Sequence, residues 1–125
     1  MKKLIIFIGL IFSSVVFTAN AKITSLSCPG LDKRAQDLEV VLDSGNGTAS
    51  LQSPSSGSGL NFTEKASFGS ELVTWSKKSS SFKQTFSVNR ETLELQRKTY
   101  SNATGETYLE KTTCSLKRAS KSAKF

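Results

Sequence analysis

From Leu38 onward the apolar positions fall at every second residue. Leu38, Val40 and Leu42 alternate with Glu39 and Val41, and Ala49 and Leu51 alternate with polar neighbours between Thr48 and Gln52. That period of two is the period of a strand with one buried face. Between the two runs, Asp43-Ser44-Gly45-Asn46-Gly47 is a turn, so the pair predicts a hairpin. The clearest strand follows Lys77-Lys78-Ser79-Ser80, with Phe82, Gln84, Phe86 and Val88 on one face and Lys83, Thr85 and Ser87 on the other. Lys65–Phe68 and Ser70–Ser76 read as one strand interrupted at Gly69, a candidate bulge. After the tight connection Asn89-Arg90-Glu91, Thr92–Tyr100 reads as strand with Leu93 and Leu95 inward, and Thr107–Leu116 closes the series.

Two stretches break the alternation. Pro29-Gly30 is a turn signal, and the polar run Leu31–Asp37 predicts at most one or two helical turns. Gln52–Gly59 is rich in Ser, Gly and Pro and reads as a long structureless surface loop before the chain re-enters at Leu60–Phe62. No connection is long enough for a crossover helix between parallel strands. The expected fold is therefore all-β, an antiparallel meander of about six strands curled or closed into a small barrel.

The ends read differently from the body. Lys2 and Lys3 precede an apolar run from Leu4 to Phe17, and Ala19-Asn20-Ala21 is a small-x-small cleavage site. Residues 1–21 are thus expected to be an export signal, and the run, interrupted by Ser13 and Ser14, falls short of the ~20 residues that span a bilayer. The product would be periplasmic or secreted, with one β-domain over 22–116 and a basic, disordered tail over 117–125. Past the signal there are 15 basic and 10 acidic side chains, but Lys117, Arg118, Lys121 and Lys124 lie in the last nine residues, leaving the body at 11 against 10. Basic groups at a Ser/Ala-rich end do not make a nucleic-acid face. They suit loose contact with an anionic lipid or wall polymer.

Cysteine usage fits export. Cys28 and Cys114 are the chain's two cysteines and stand at either end of the body, where a bridge would tie its beginning to its end. Two thiolates without His leave a zinc ion short of ligands, so no metal site is expected, and nothing suggests another cofactor.

The same composition narrows the chemistry. The absence of His removes His-based triads and the usual general base near neutral pH, and a bridged cysteine pair removes the thiol nucleophile. Ser80-Ser81-Phe82-Lys83 matches a Ser-x-x-Lys pattern that works only on a helix of a much larger scaffold. No glycine-rich phosphate loop lies between a strand and a helix. The sequons at Asn46, Asn61 and Asn102 read as turn and loop residues. No catalytic residue is assigned.

Candidate contact residues are Ser58, Gly59 and Phe62 at the end of the Ser/Gly loop, Trp75, Lys77 and Lys78 as an aromatic and cationic patch, and Arg90 at a strand connection. The stretch Phe86–Leu95, followed by a closing Cys114, resembles the ends of small exported bacterial and phage proteins without an assigned activity. Ser58-Gly59-Leu60-Asn61-Phe62 approximates the Ser-Gly-x-x-Tyr loop, and Trp75-Ser76-Lys77 the Trp-x-Lys pattern, of the periplasmic C-type lysozyme inhibitors. That second resemblance implies a small disulfide-closed antiparallel barrel presenting Ser58 and Lys77 to a wall hydrolase. The expectation is a non-enzymatic exported β-domain that binds a protein or envelope component, with hydrolase inhibition as the alternative.

Overall fold

The structure, a computed structural model, describes residues 22–56 and 58–117. The export signal expected over 1–21, and Arg118, Lys121 and Lys124 of the expected tail, lie outside them.

The chain forms nine strands: β1 (Ile23–Ser27), β2 (Glu39–Asp43), β3 (Thr48–Gln52), β4 (Phe62–Phe68), β5 (Leu72–Lys78), β6 (Phe82–Asn89), β7 (Glu94–Ser101), β8 (Thr107–Thr113) and β9 (Ser115–Leu116). The count corrects the expected six or so in three places. Gly69 is not a bulge within one strand: its N–H donates to the Leu72 carbonyl at 2.8 Å, closing a tight hairpin that separates β4 from β5. The last run divides at Cys114 into β8 and β9, and β1 is too short and too polar to announce itself by alternation. The expected helical turns over Leu31–Asp37 are also absent. Two successive tight turns stand there, Ala35 N–H to the Asp32 carbonyl and Leu38 N–H to the Ala35 carbonyl.

All neighbours are antiparallel, in the order β8-β7-β6-β5-β4-β3-β2-β1-β9. The two outermost strands are consecutive in the chain, so the meander curls almost into a closed barrel. Alternation then selects the interior. One row across the sheet runs Leu26–Val40–Leu51–Phe62 and another Phe68–Val73–Val88–Leu95. Leu26, Val40, Leu51, Val73, Val88 and Leu95 are all buried. A third row, Ala66–Trp75–Phe86–Arg97–Glu110, carries the largest side chains and, unexpectedly, an ion pair.

The barrel closes along one seam. Going up the chain, 26, 28 and 30 meet 116, 114 and 112 in turn, and 32 is linked to 110 through Arg97. Leu26 pairs with Leu116 through β1 and β9. Cys28 is bonded to Cys114. Gly30 lies so close to β8 that a Cβ there would stand 2.6 Å from the Thr112 hydroxyl. Asp32 reaches Arg97, which also holds Glu110. The seam is thus an antiparallel register continued by side chains after backbone pairing stops.

Packing inside the barrel is led by a stack. The Trp75 and Phe86 rings lie 5.4 Å apart and 5° from parallel, and Phe86 meets Phe62 at 5.7 Å, tilted by 52°. Trp75 is 3% exposed, and its indole N–H has no hydrogen-bond partner among the described residues. Leu93 adopts a left-handed backbone (φ 63°), a conformation that costs a branched residue about 1–2 kcal/mol. It is held there because its carbonyl accepts the Cys114 N–H at 2.9 Å and its side chain packs on the core.

Two outcomes follow for stability. The bridge closes a loop with a sequence separation of 86, worth roughly 4–5 kcal/mol on the chain-entropy model, so replacing both cysteines by Ser should lower the urea midpoint substantially. A midpoint unchanged by that double substitution would mean that the other seam contacts suffice. Trp75→Phe keeps the stack and removes an unpaired buried donor, so it should stay within about 1 kcal/mol of the parent, whereas Trp75→Ala should cost about 3–5 kcal/mol. Equal losses for the two in equilibrium unfolding would contradict this account.

Candidate functional site

The sequence places a polar rung just beyond the Trp75–Phe86–Arg97–Glu110 row. In register across four strands it reads Lys77–Gln84–Thr99–Tyr108. By alternation these residues share the inward side, and there the barrel stops being apolar. Lys77 and Gln84, with Ser79 and Phe82 from the adjoining hairpin, form one wall of a pocket of about 510 Å³. Ser55, Ser56, Gly59 and Leu60 form the other, Arg34 lies at the rim, and Arg97 reaches it from within.

The second wall is the Ser/Gly/Pro loop, and here the structure corrects the sequence reading. The loop is tethered, not structureless. The Asp37 carboxylate accepts from the Ser53 hydroxyl (2.6 Å), the Ser55 hydroxyl (2.6 Å) and the Ser55 N–H (2.9 Å). Asn61 joins the two ends of the loop, accepting from Ser53 N–H and donating to the Ser53 carbonyl, each at 2.9 Å. A single 3-10 turn, Ser58–Leu60, then leads into β4. Donors converging on Asp37 hold its carboxyl at about 2, below the usual carboxylate range.

Beneath the rim lies the charged end of the third row. Arg97, 5% exposed, donates from Nε and Nη2 to the two Glu110 oxygens (3.1 and 2.9 Å) and from Nη2 to Asp32 (3.1 Å). Asp32, 8% exposed, is also forked by Arg34 through Nε (3.0 Å) and Nη2 (2.8 Å). Arg34 first, with Arg97 behind it, holds the Asp32 carboxyl far below the usual range against the opposing effect of burial. These two carboxylates are therefore committed to guanidinium groups. The Asp32 carboxyl, held that far down, stays ionised near neutral pH and does not supply the proton transfer that general acid–base work needs.

Lys77 is different. Its ammonium sits 4.3 Å above the centre of the Phe62 ring, a contact worth about 0.5–2 kcal/mol, and no carboxylate lies within ion-pair distance of it among the described residues. The Trp75–Phe86–Phe62 stack thus runs from the core to the mouth and ends under a cation.

The sequence-derived candidates divide accordingly. Phe62, Trp75 and Lys77 share this stack, with Lys77 on the pocket wall and Trp75 in the core; Gly59 lines the opposite wall. Ser58 opens the 3-10 turn, and its side chain lies outside the described part of the structure. Lys78 is exposed on the outer side of β5 beside Lys83. Arg90 sits away from the mouth, donating to the Gly69 carbonyl at 2.7 Å and bordering a separate hollow of about 520 Å³ with Glu71 and Glu91. Lys117 pairs with Glu39 at 2.8 Å on the surface, where such a bridge contributes little. Arg34, Gln84 and Arg97 were not singled out from sequence. For Arg97 a signal existed: it has the same strand parity as inward Leu95, and a charge at an inward position asks for a buried partner.

Comparison with protein-family models, with curated proteins and with solved structures finds no match.

Acid should loosen this end of the barrel first. A carboxyl whose folded pKa lies below its unfolded value stabilises the fold above about pH 4, and that contribution is lost as pH falls through the folded value. Unfolding free energy measured by urea titration should thus decline between pH 5 and 2, and Asp32→Asn should flatten the decline while lowering stability at pH 7. Asp37→Asn should instead speed amide exchange in 53–56, its effect on exchange vanishing as pH approaches 2. An Asp32→Asn protein with the parent's full pH slope would exclude this assignment.

Proposed function

We propose that the chain is a non-enzymatic binding domain that receives its ligand at the mouth of the barrel. The observation carrying this reading is the pocket between the tethered segment 53–56 with Gly59 and Leu60 and the β5–β6 hairpin, with Lys77 mounted on Phe62 in its wall. Its surfaces are prepared for contact: hydroxyls, an amide, a ring edge and a cation converge there, while Asp32 and Glu110 are spent on Arg97 and Arg34 and Asp37 on Ser53 and Ser55. Loops held on a rigid strand frame are where recognition concentrates. The Cys28–Cys114 bridge is compatible with an exported protein, and a protein or envelope component met outside the inner membrane is the partner this reading favours. Inhibition of a wall hydrolase, the alternative, would require Lys77 to project into another protein's cleft. A half-buried Lys77 inside a concavity favours reception.

The test is residue-resolved. Adding a soluble envelope extract to the isotopically labelled, oxidised protein should shift amide resonances of 55–60 and 77–84 and leave those of 43–47 and 69–71 unmoved. Shifts confined to the opposite end, or a hydrolase activity lost on adding the protein with no change at the mouth, would overturn the proposal.

A further inference from the structure

The charge distribution around the mouth narrows the ligand further, on the reading that the mouth is the binding face. Arg34 and Arg97 are each within 3.1 Å of a carboxylate oxygen, and together with Asp32 and Glu110 they form a group with no net charge. Lys77 remains as the cation in the wall without a carboxylate partner among the described residues. Phe62 occupies one side of its ammonium, an arrangement that holds the charge in place without neutralising it. Gln84, its direct partner across β5 and β6, brings an amide donor beside it. The residues lining the pocket include no Asp or Glu, and the Asp37 carboxylate behind Ser55 has its oxygens taken up by the Ser53 and Ser55 donors. The remaining wall is apolar where Leu60 closes the interior and Phe82, 46% exposed, forms the lip.

We infer that the mouth is an anion site for a small ligand carrying one carboxylate or phosphate group on a short apolar or aromatic body. The anionic group pairs with the Lys77 ammonium and accepts from the Gln84 amide, and the apolar body lies between Phe82 and Leu60. Arg34, whose side chain is 79% exposed, adds a second donor at the rim while retaining Asp32. A charge-assisted hydrogen bond of this kind is about twice as strong as a neutral one, so the charge, more than the shape, should set selectivity.

Benzoate, phenyl phosphate and neutral benzamide serve as probes of matched size, titrated into the oxidised full chain with the Gln84 side-chain amide and the Gly59 N–H as reporters. At least one anion should shift both reporters, binding 10-fold or more tightly than benzamide. Response to benzoate alone assigns a carboxylate, response to phenyl phosphate alone a phosphate, and response to both assigns the charge as the determinant. Lys77→Met keeps an unbranched side chain over Phe62 and should weaken the anion at least 10-fold. Lys77→Arg should restore most of it, and Lys98→Met, an equal change in net charge on the outer face of β7, should leave it unaltered. Benzamide binding as well as the anions, or unchanged anion binding by the Lys77→Met protein, would overturn the inference. The broader reading fails separately if envelope material leaves the mouth unshifted in the parent and in Lys77→Met alike; material that shifts the mouth equally in both proteins leaves a binding face and overturns only the anionic preference.

Discussion

Everything in this molecule rests on how the two edges of one sheet are joined. Nine antiparallel strands curl until β8 approaches β1, but Pro29 has no N–H to donate and the chain turns at Pro29-Gly30. Backbone pairing along the seam is therefore confined to β1 and β9. Beyond it the seam is kept by other means: a covalent bond at 28 and 114, the close approach of Gly30 to the Thr112 side chain, and Arg97 paired with both Asp32 and Glu110. The segment after Cys28 also covers the Thr112 end of β8, shielding that part of an edge where another chain could pair.

The central strands were readable because alternation is strong where one face is buried. Phe86, Val88, Val40 and Leu51 stand inward as their parity requires. The bridge was readable from compartment and position. What escaped had physical reasons. β1 offers only Leu26 as a fully buried residue, too little for a periodic signal. Gly69 is equally compatible with a bulge and with a hairpin, and only pairing decides between them. The order in the 53–56 segment comes from Asp37, which lies across β2 and β3 from it in sequence and leaves no local trace. Of the site, Gly59, Phe62 and Lys77 were visible as loop glycine, ring and cation. Gln84 and Arg97 were hidden among residues whose alternation was read only as core and solvent.

The seam and the mouth share Arg97, and that overlap gives the site its electrostatic character. Arg97 sits at an inward position where its isolated charge would be strongly unfavourable, so it requires Glu110 across the ladder and Asp32 from the covering segment. Asp32 in turn draws Arg34 to the rim. The charges of Arg97, Glu110, Asp32 and Arg34 are thereby fixed by the needs of closure. Lys77 has no such duty, and its neighbour is a ring.

This division explains why a wall so rich in donors can coexist with a stable small barrel. Had Lys77 been given a carboxylate, the mouth would be electrically closed; had Arg97 been left without one, the fold would carry a buried unpaired charge. Seating Lys77 on Phe62 avoids both outcomes, because a π face attracts the cation while leaving its N–H groups directed elsewhere. The Phe62 ring is itself positioned by Phe86, and Phe86 by Trp75, so the direction of one surface cation is set by packing that begins in the middle of the core. On the proposed reading, recognition at the mouth and cohesion of the interior are two ends of one aromatic stack.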